Sequence, residues 1–165
     1  MRKRITIITG QIGSGKTTYL EKLLLSPKEA AGILQISKGN RRYFVDIGSS
    51  ETVELTSEDL NSDNIQIGRF IFNKSIFSWA NEKLQKSFHS KAVKQIIVDE
   101  YGPLEFKGKG FEPIFSEILN YIKKKNDVEL IVVVRNSLLE RFLNKFNLKD
   151  EKVEIVEISK SINRF

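Results

Sequence analysis

A glycine-rich loop near the start of the chain constrains its fold more than any other feature. Residues 10–17 read Gly-Gln-Ile-Gly-Ser-Gly-Lys-Thr and fit the pattern G-x-x-x-x-G-K-[ST] at every fixed position. The β-branched run at residues 4–9 predicts a buried strand before the loop, and the leucines of residues 16–25 predict a helix after it. A glycine-rich loop between a strand and a helix is a phosphate-binding arrangement of α/β proteins.

The positions of this loop have physical roles in holding a triphosphate. Glycines let backbone N–H groups approach phosphate oxygens without a Cβ atom in the way, and the helix N-terminus adds its positive dipole end. Lys16 would reach the β- and γ-phosphates as a catalytic cation, the Thr17 hydroxyl would bind Mg²⁺, and Thr18 would donate to the α-phosphate. The predicted nucleotide-binding residues are Gly10, Gln11, Ile12, Gly13, Ser14, Gly15, Lys16, Thr17 and Thr18.

Strand and helix signals alternate along the rest of the chain. A turn at Gly39-Asn40 predicts a β-hairpin between residues 32–37 and 42–47. Further strands are predicted at residues 52–55, 69–72, 95–98, 128–134 and 153–158, and helices near residues 76–88, 114–122 and 138–146. The length of 165 residues allows one domain, which we predict over residues 1–165, and strands separated by helices imply parallel crossovers. Its fold would be a three-layer α/β P-loop sandwich with a mostly parallel central sheet and an added antiparallel hairpin.

Two acidic residues follow the predicted strand at residues 95–98. A P-loop enzyme needs a carboxylate at the end of a neighbouring strand to position Mg²⁺, and Asp99 fits that role together with Thr17. Glu100 follows where the chain leaves the sheet, so it is predicted to orient and deprotonate a water molecule that attacks the γ-phosphate. The alternative for both acids is a solvated turn.

A cation is predicted at the same edge of the sheet. Arg135 ends the apolar run at residues 128–134, where its side chain can project toward the ligand crevice. We predict that it is catalytic and stabilises charge on the γ-phosphate in the transition state. The alternatives are a strand cap or an ion pair with Glu140. Two neighbouring features stay open: Glu105 is either catalytic or ion-paired, and the basic loop at residues 107–110 either closes over phosphates or remains solvated.

The second motif carries a family resemblance. Asp-Glu-Tyr-Gly-Pro-Leu-Glu at residues 99–105, combined with the loop at residues 10–17, resembles the small P-loop nucleoside triphosphatases of the THEP type. The resemblance implies Mg²⁺-dependent hydrolysis of NTPs such as ATP and GTP, with loose base selectivity, on a parallel-sheet P-loop fold. Tyr101 departs from the family, which usually has an aliphatic residue there. Residues 32–37 match no acid or arginine of the corresponding family segment, so the resemblance assigns no site residue to them.

Composition narrows the remaining functions. With no cysteine and a single histidine, the chain lacks the residues for cysteine-based zinc sites, thiol catalysis or His-rich metal sites. No apolar run approaches the about 18 residues that span a bilayer, and no signal peptide is recognisable, so we expect a cytoplasmic protein without a membrane partner. The net charge of +6 suits a polyphosphate ligand and is compatible with nucleic acid without requiring it. The sequence identifies no protein partner.

Two alternatives to hydrolysis remain. A P-loop kinase would use the same loop together with an acceptor pocket, and would transfer the γ-phosphate to a small molecule. A nucleotide-gated binding module would use hydrolysis only as a switch. Because the chain is short for a separate acceptor domain or an arginine-rich lid, the sequence favours water as the acceptor.

Overall fold

A seven-stranded sheet forms the centre of the protein. The computed structural model describes residues 4–24, 26, 28–60, 63–125, 127–149 and 153–159. Within these residues the strands are β1 (Ile5–Gly10), β2 (Ala30–Lys38), β3 (Arg41–Asp46), β4 (Thr52–Glu54), β5 (Thr56–Ser57), β6 (Asn64–Ile67), β7 (Phe70–Asn73), β8 (Gln95–Val98), β9 (Glu129–Arg135) and β10 (Val153–Ile158). The helices are α1 (Lys16–Leu23), α2 (Lys74–Phe88), α3 (Pro103–Phe106), α4 (Ile114–Lys124) and α5 (Asn136–Lys145).

The central sheet is mostly parallel. Its strand order is β10-β1-β9-β8-β2-β3-β4, with parallel pairing from β10 through to β2 and antiparallel pairing in β2-β3-β4. The predicted hairpin therefore exists and extends one end of the sheet, while β10 forms the other edge. Residues 1–3 and 160–165 of the predicted domain, and Leu25 at the end of the first predicted helix, lie outside the described residues.

Helices cover both faces of this sheet because apolar residues alternate along its strands. In β1, Ile7 packs into the cluster beneath α2, α4 and α5, whereas the next residue, Ile8, packs on the opposite face with Leu20 of α1. The result is the predicted three-layer sandwich. No helix in the described part of the chain combines the length and the apolar character that crossing a membrane requires.

A second, three-stranded sheet lies between β4 and α2 in the sequence. Its order is β5-β7-β6, and both pairings are antiparallel. Leu55, just before β5, and Phe72 of β7 anchor it in the main core. The sequence predicted only the strand that became β7, because β5 and β6 have two and four residues and are too short for a periodic signal.

Tyr101, the departure from the family pattern, is fully buried in an aromatic cluster. Its ring centroid lies 4.6 Å from that of Phe115 and 5.1 Å from that of Phe142. Its hydroxyl donates a hydrogen bond to Glu112 at 2.7 Å. Burial raises the pKa of Tyr101, and Glu112 raises it further, so the phenol remains a hydrogen-bond donor. The polar end of this large residue thus ties the turn after β8 to the start of α4.

The Tyr101→Phe substitution tests this tie. It should lower the free energy of unfolding by about 1–2 kcal/mol, because it removes a hydrogen bond to a half-buried carboxylate while leaving the ring in place. The measurement is urea denaturation at neutral pH. The control is Tyr43→Phe, at a half-buried tyrosine on β3, which should change stability by less than about 0.5 kcal/mol. Equal effects of the two substitutions would contradict a stabilising role for the bond from Tyr101 to Glu112.

Candidate active site

The glycine-rich loop connects β1 to α1 as predicted. Gly10 has a φ of +153°, and a Cβ atom there would lie 2.4 Å from the carbonyl oxygen of Ile158 and 2.7 Å from Ser14 Oγ. Any larger residue at this position would therefore displace β10 or the loop itself. Helix α1 begins at Lys16, so its free N–H groups lie at the loop, where an anion can bind.

The side chain of Lys16 folds along the loop. Its Nζ donates to the carbonyl oxygens of Gly10 at 3.1 Å and Gln11 at 2.5 Å. Partial burial lowers the pKa of Lys16, and the charge of Glu100 opposes that shift. The ammonium group is therefore held between the loop and the acidic strand end, the region where a triphosphate would need a cation.

Thr17 and Asp99 meet as predicted. Thr17 Oγ1 donates to Asp99 Oδ2 at 3.1 Å, and the backbone N–H of Gln35 donates to the same oxygen at 3.0 Å. Asp99 is only 3% exposed, and this burial raises its pKa to about 7 despite the two hydrogen bonds. A hydroxyl and a carboxylate are hard oxygen donors, and the described residues contain no group of three or more His, Cys, Asp or Glu that could hold a metal ion. The donor set fits Mg²⁺, which takes few protein ligands and completes its shell with phosphate oxygens and water.

The acidic strand is not the immediate neighbour of the loop strand. Strand β9 lies between β1 and β8, which corrects the prediction of adjacent strands. Arg135, at the end of β9, therefore lies between the loop and the acids. The Nη2 atom of Arg135 is 2.7 Å from Oε1 of Glu100. Among the described residues, Glu140 pairs instead with Lys149, whose Nζ is 3.9 Å from Oε1 of Glu140, so the alternative of an ion pair between Arg135 and Glu140 is wrong. The arginine, the acids and the loop therefore meet at the same edge of the central sheet.

Glu100 adopts an unusual backbone conformation. Its φ is +101°, which costs a non-glycine residue conformational energy. Such strain persists only where the surrounding structure imposes it, and it is common at functional sites. The turn separates the two acids: Asp99 is buried against Thr17, and Glu100 is directed to Arg135 at the cavity wall.

A cavity of about 480 Å³ joins these groups, and we call it the nucleotide cavity. The residues that line it are Ile12, Gly13, Ser14, Gly15, Lys16, Thr17, Thr18, Gln35, Ile36, Ser37, Arg42, Asp99, Glu100, Val133 and Arg135. Gly10 and Gln11 take part through the carbonyl groups that hold Lys16.

Val133 of β9 and four residues of the hairpin line this cavity without having been predicted as site residues, and these four are Gln35, Ile36, Ser37 and Arg42. They lie on the hairpin strands β2 and β3, and β2 pairs in parallel with β8. The signal that could have found them is the position of residues 35–37 at the carboxyl end of a strand, because parallel strands end at the same edge.

Glu105 is part of the local scaffold. It is 4% exposed and accepts hydrogen bonds from the backbone N–H groups of Gly102 at 2.8 Å and Phe111 at 3.1 Å. Its contacts within the described residues are thus with backbone groups, and the predicted ion pair is not among them. Burial raises its pKa to about 7. Lys107 and Lys109 are exposed on the intervening loop.

The loop, the acidic strand end and the mostly parallel sheet define a P-loop nucleotide-binding protein. A family model described as NTPase matches residues 5–164. The chain belongs to this family of small P-loop nucleoside triphosphatases of the THEP1 type, and it is an enzyme of the NTP phosphohydrolase class.

The similar proteins include members of this family and one kinase. The nucleoside-triphosphatase THEP1 of Thermotoga maritima is 30% identical over 86% of this chain and 95% of its own. A dephospho-CoA kinase of Dehalococcoides mccartyi is 29% identical over 91% of this chain and 77% of its own. The crystal structure of THEP1 from Aquifex aeolicus has the same fold, with a TM-score of 0.69 and 19% identity over 94% of this chain and 90% of that chain.

The Glu105→Gln substitution tests the scaffold role. A glutamine amide has one acceptor oxygen for two buried N–H donors, so we expect a loss of about 1–3 kcal/mol in the free energy of unfolding. Because the folded-state pKa of Glu105 is raised from 4.5 to about 7, its protonated form is the one that favours the fold. The stability difference between wild type and variant should therefore be largest below pH 4.5 and should narrow as the pH rises to about 7.

The measurement is chemical denaturation at several pH values between these limits, with phosphate release assayed in parallel. We expect the variant to retain turnover, and we expect the stability difference between wild type and variant to narrow as the pH rises. A variant of unchanged stability that has lost turnover would contradict the scaffold role and favour a catalytic one.

Proposed function

We propose that this NTPase hydrolyses ATP and GTP to the diphosphate and phosphate in a Mg²⁺-dependent reaction, with Glu100 activating the water molecule. The observation that carries the proposal is the position of Glu100, with a strained backbone, against Arg135 at the wall of the nucleotide cavity. A carboxylate one residue beyond the predicted metal ligand has access to the γ-phosphate side of that cavity.

The phosphate chain would be held by the loop. Backbone N–H groups of residues 13–18 would donate to phosphate oxygens, and Lys16 would exchange its loop carbonyl partners for the β- and γ-phosphates. Thr17 and Asp99 would hold Mg²⁺, which when bound supplies charge neutralisation at the phosphate oxygens. The raised pKa of Asp99 supports this assignment, because a buried carboxylate gains from a cation placed beside it.

The hydrolytic step needs a base and a counter-charge. The Glu100 carboxylate would take a proton from water while the water oxygen bonds to the γ-phosphorus, the bridging P–O bond breaks and the diphosphate leaves. Arg135 would first orient Glu100 through their 2.7 Å contact and then stabilise negative charge on the transferring group. Both side chains are partly exposed, so water and phosphate can reach them.

Phosphoryl transfer is the second candidate function. It is favoured by one observation, the similarity to a dephospho-CoA kinase over most of the chain. Phosphate release with Mg²⁺ and NTP alone supports hydrolysis, whereas diphosphate formed only after an acceptor is added would favour transfer.

Glu100→Gln is the central test of the hydrolytic role. The amide cannot take a proton from water, so kcat for phosphate release should fall by at least ~10²-fold while binding of Mg²⁺ with the nucleotide is retained. Turnover and binding are measured separately, with a chelator arm in which wild-type turnover should stop. Glu140→Gln, at a carboxylate 85% exposed on α5, is the matched control and should behave as wild type. Wild-type turnover in Glu100→Gln would refute the assignment of the base.

Arg135→Gln separates the two roles of the arginine. The loss of positive charge should lower kcat by about 10–10³-fold, since electrostatic stabilisation of the transition state is lost. Arg135→Lys restores the charge without the planar two-pronged donor and should recover part of that loss. Pre-steady-state phosphate release is the measurement. If both variants turn over like wild type, Arg135 is a strand cap only.

A further inference from the structure

A second cavity, of about 380 Å³, lies next to the nucleotide cavity, and we call it the apolar cavity. The two cavities share the five lining residues Ile12, Gln35, Arg42, Glu100 and Arg135. The acidic and basic groups proposed for catalysis therefore form the boundary between the two spaces.

The walls of this cavity are mainly hydrophobic. The second sheet and the residue before it contribute Leu55, Ile67 and Phe70, and α2, α3 and the loop after α3 contribute Phe77, Leu104 and Phe111. Such a wall does not hold water by hydrogen bonds, yet the volume would accommodate on the order of ten water molecules. Hydrolysis needs only one water molecule. An apolar wall of this size fits the ring of a small organic molecule.

Cations mark the rim of the apolar cavity. The guanidinium carbons of Arg42 and Arg69 lie 4.8 Å and 4.9 Å from the centre of the Phe70 ring. Neither arginine forms a salt bridge within the described residues, whereas Glu105 in the same wall is satisfied by two backbone N–H groups. The rim therefore has positive charge without a bound counter-charge, which suits an anionic group on the ligand.

The apolar cavity lies on the γ-phosphate side. It touches the described loop only at Ile12, whereas Thr18, expected at the α-phosphate, lines the nucleotide cavity alone. A nucleoside attached to the α-phosphate would extend from the end of the nucleotide cavity at which Thr18 lies. A molecule in the apolar cavity would instead face the γ-phosphate across Glu100.

We propose that the apolar cavity binds a second substrate, a small organic anion with an apolar ring and a hydroxyl group, which accepts the γ-phosphoryl group in place of water. The inference rests on the proposed binding of the triphosphate. The acceptor oxygen bonds to the γ-phosphorus, the bond to the bridging oxygen breaks, the hydroxyl proton passes to Glu100, and the nucleoside diphosphate leaves.

The test uses 4-(hydroxymethyl)benzoate as the probe, with γ-³²P-labelled ATP and Mg²⁺. Its ring fits the apolar wall, its carboxylate suits the arginine rim, and its hydroxyl is the acceptor. We expect a labelled phosphate ester of the probe. We also expect 4-methylbenzoate, which lacks the hydroxyl, to slow phosphate release because it displaces the attacking water.

Two pairs of variants assign the effect to this cavity. Ile67→Trp fills the space and should reduce ester formation by about tenfold, while Gln66→Trp, on the opposite face of β6, should not. Arg69→Ala should raise the KM for the probe about fivefold, and Arg41→Ala, at an exposed arginine paired with Glu54, is its control. Phosphate release without the probe should remain close to wild type in all four.

The outcomes separate the inference from the proposed function. Phosphate release without any ester, and without inhibition by 4-methylbenzoate, would overturn the acceptor site and leave the hydrolytic function intact. Ester formation that is equal in Ile67→Trp and Gln66→Trp and independent of Arg69 would also overturn it. Absence of phosphate release in the probe-free reaction would instead count against the proposed hydrolysis.

Discussion

Parallel pairing of β1, β9 and β8 is the constraint on which the site depends. In this register Gly10 pairs with Arg135, and Val98 pairs with Val132 two residues before the end of the apolar run. Because the carboxyl ends of parallel strands lie at the same edge of the sheet, the loop, the arginine and the acids after β8 lie close together. Because β9 lies between β1 and β8, the cation of Arg135 is placed between the loop and the acids.

Two buried carboxylates near this edge illustrate how environment separates chemically similar groups. Burial raises the pKa values of both Asp99 and Glu105, and both accept backbone hydrogen bonds. Asp99 also faces the Thr17 hydroxyl and lines the nucleotide cavity, whereas Glu105 closes the turn between Gly102 and Phe111. Glu100, between them in sequence, remains partly exposed because its strained backbone directs it to Arg135.

The second sheet changes what a chain of this length can accommodate. Together with the hairpin, it encloses an apolar space beside the nucleotide cavity. The acceptor site that we propose therefore needs neither a domain nor a lid of its own in a chain of this length. Strands as short as β5 and β6 are sufficient to form part of this wall. They contain too few residues to show the alternation of apolar and polar residues by which a strand is predicted from sequence.

The sequence alone determined the parallel α/β architecture, the loop at residues 10–17 and the acid pair Asp99-Glu100, because these depend on local periodicity and fixed spacing. Only the tertiary structure decided that β9 separates the loop from the acids, that Arg135 contacts Glu100, and that Glu105 binds backbone amides. It also decided that Arg42 borders both cavities. These contacts join residues far apart in the chain, and strand order and side-chain direction, which set them, have no local signature.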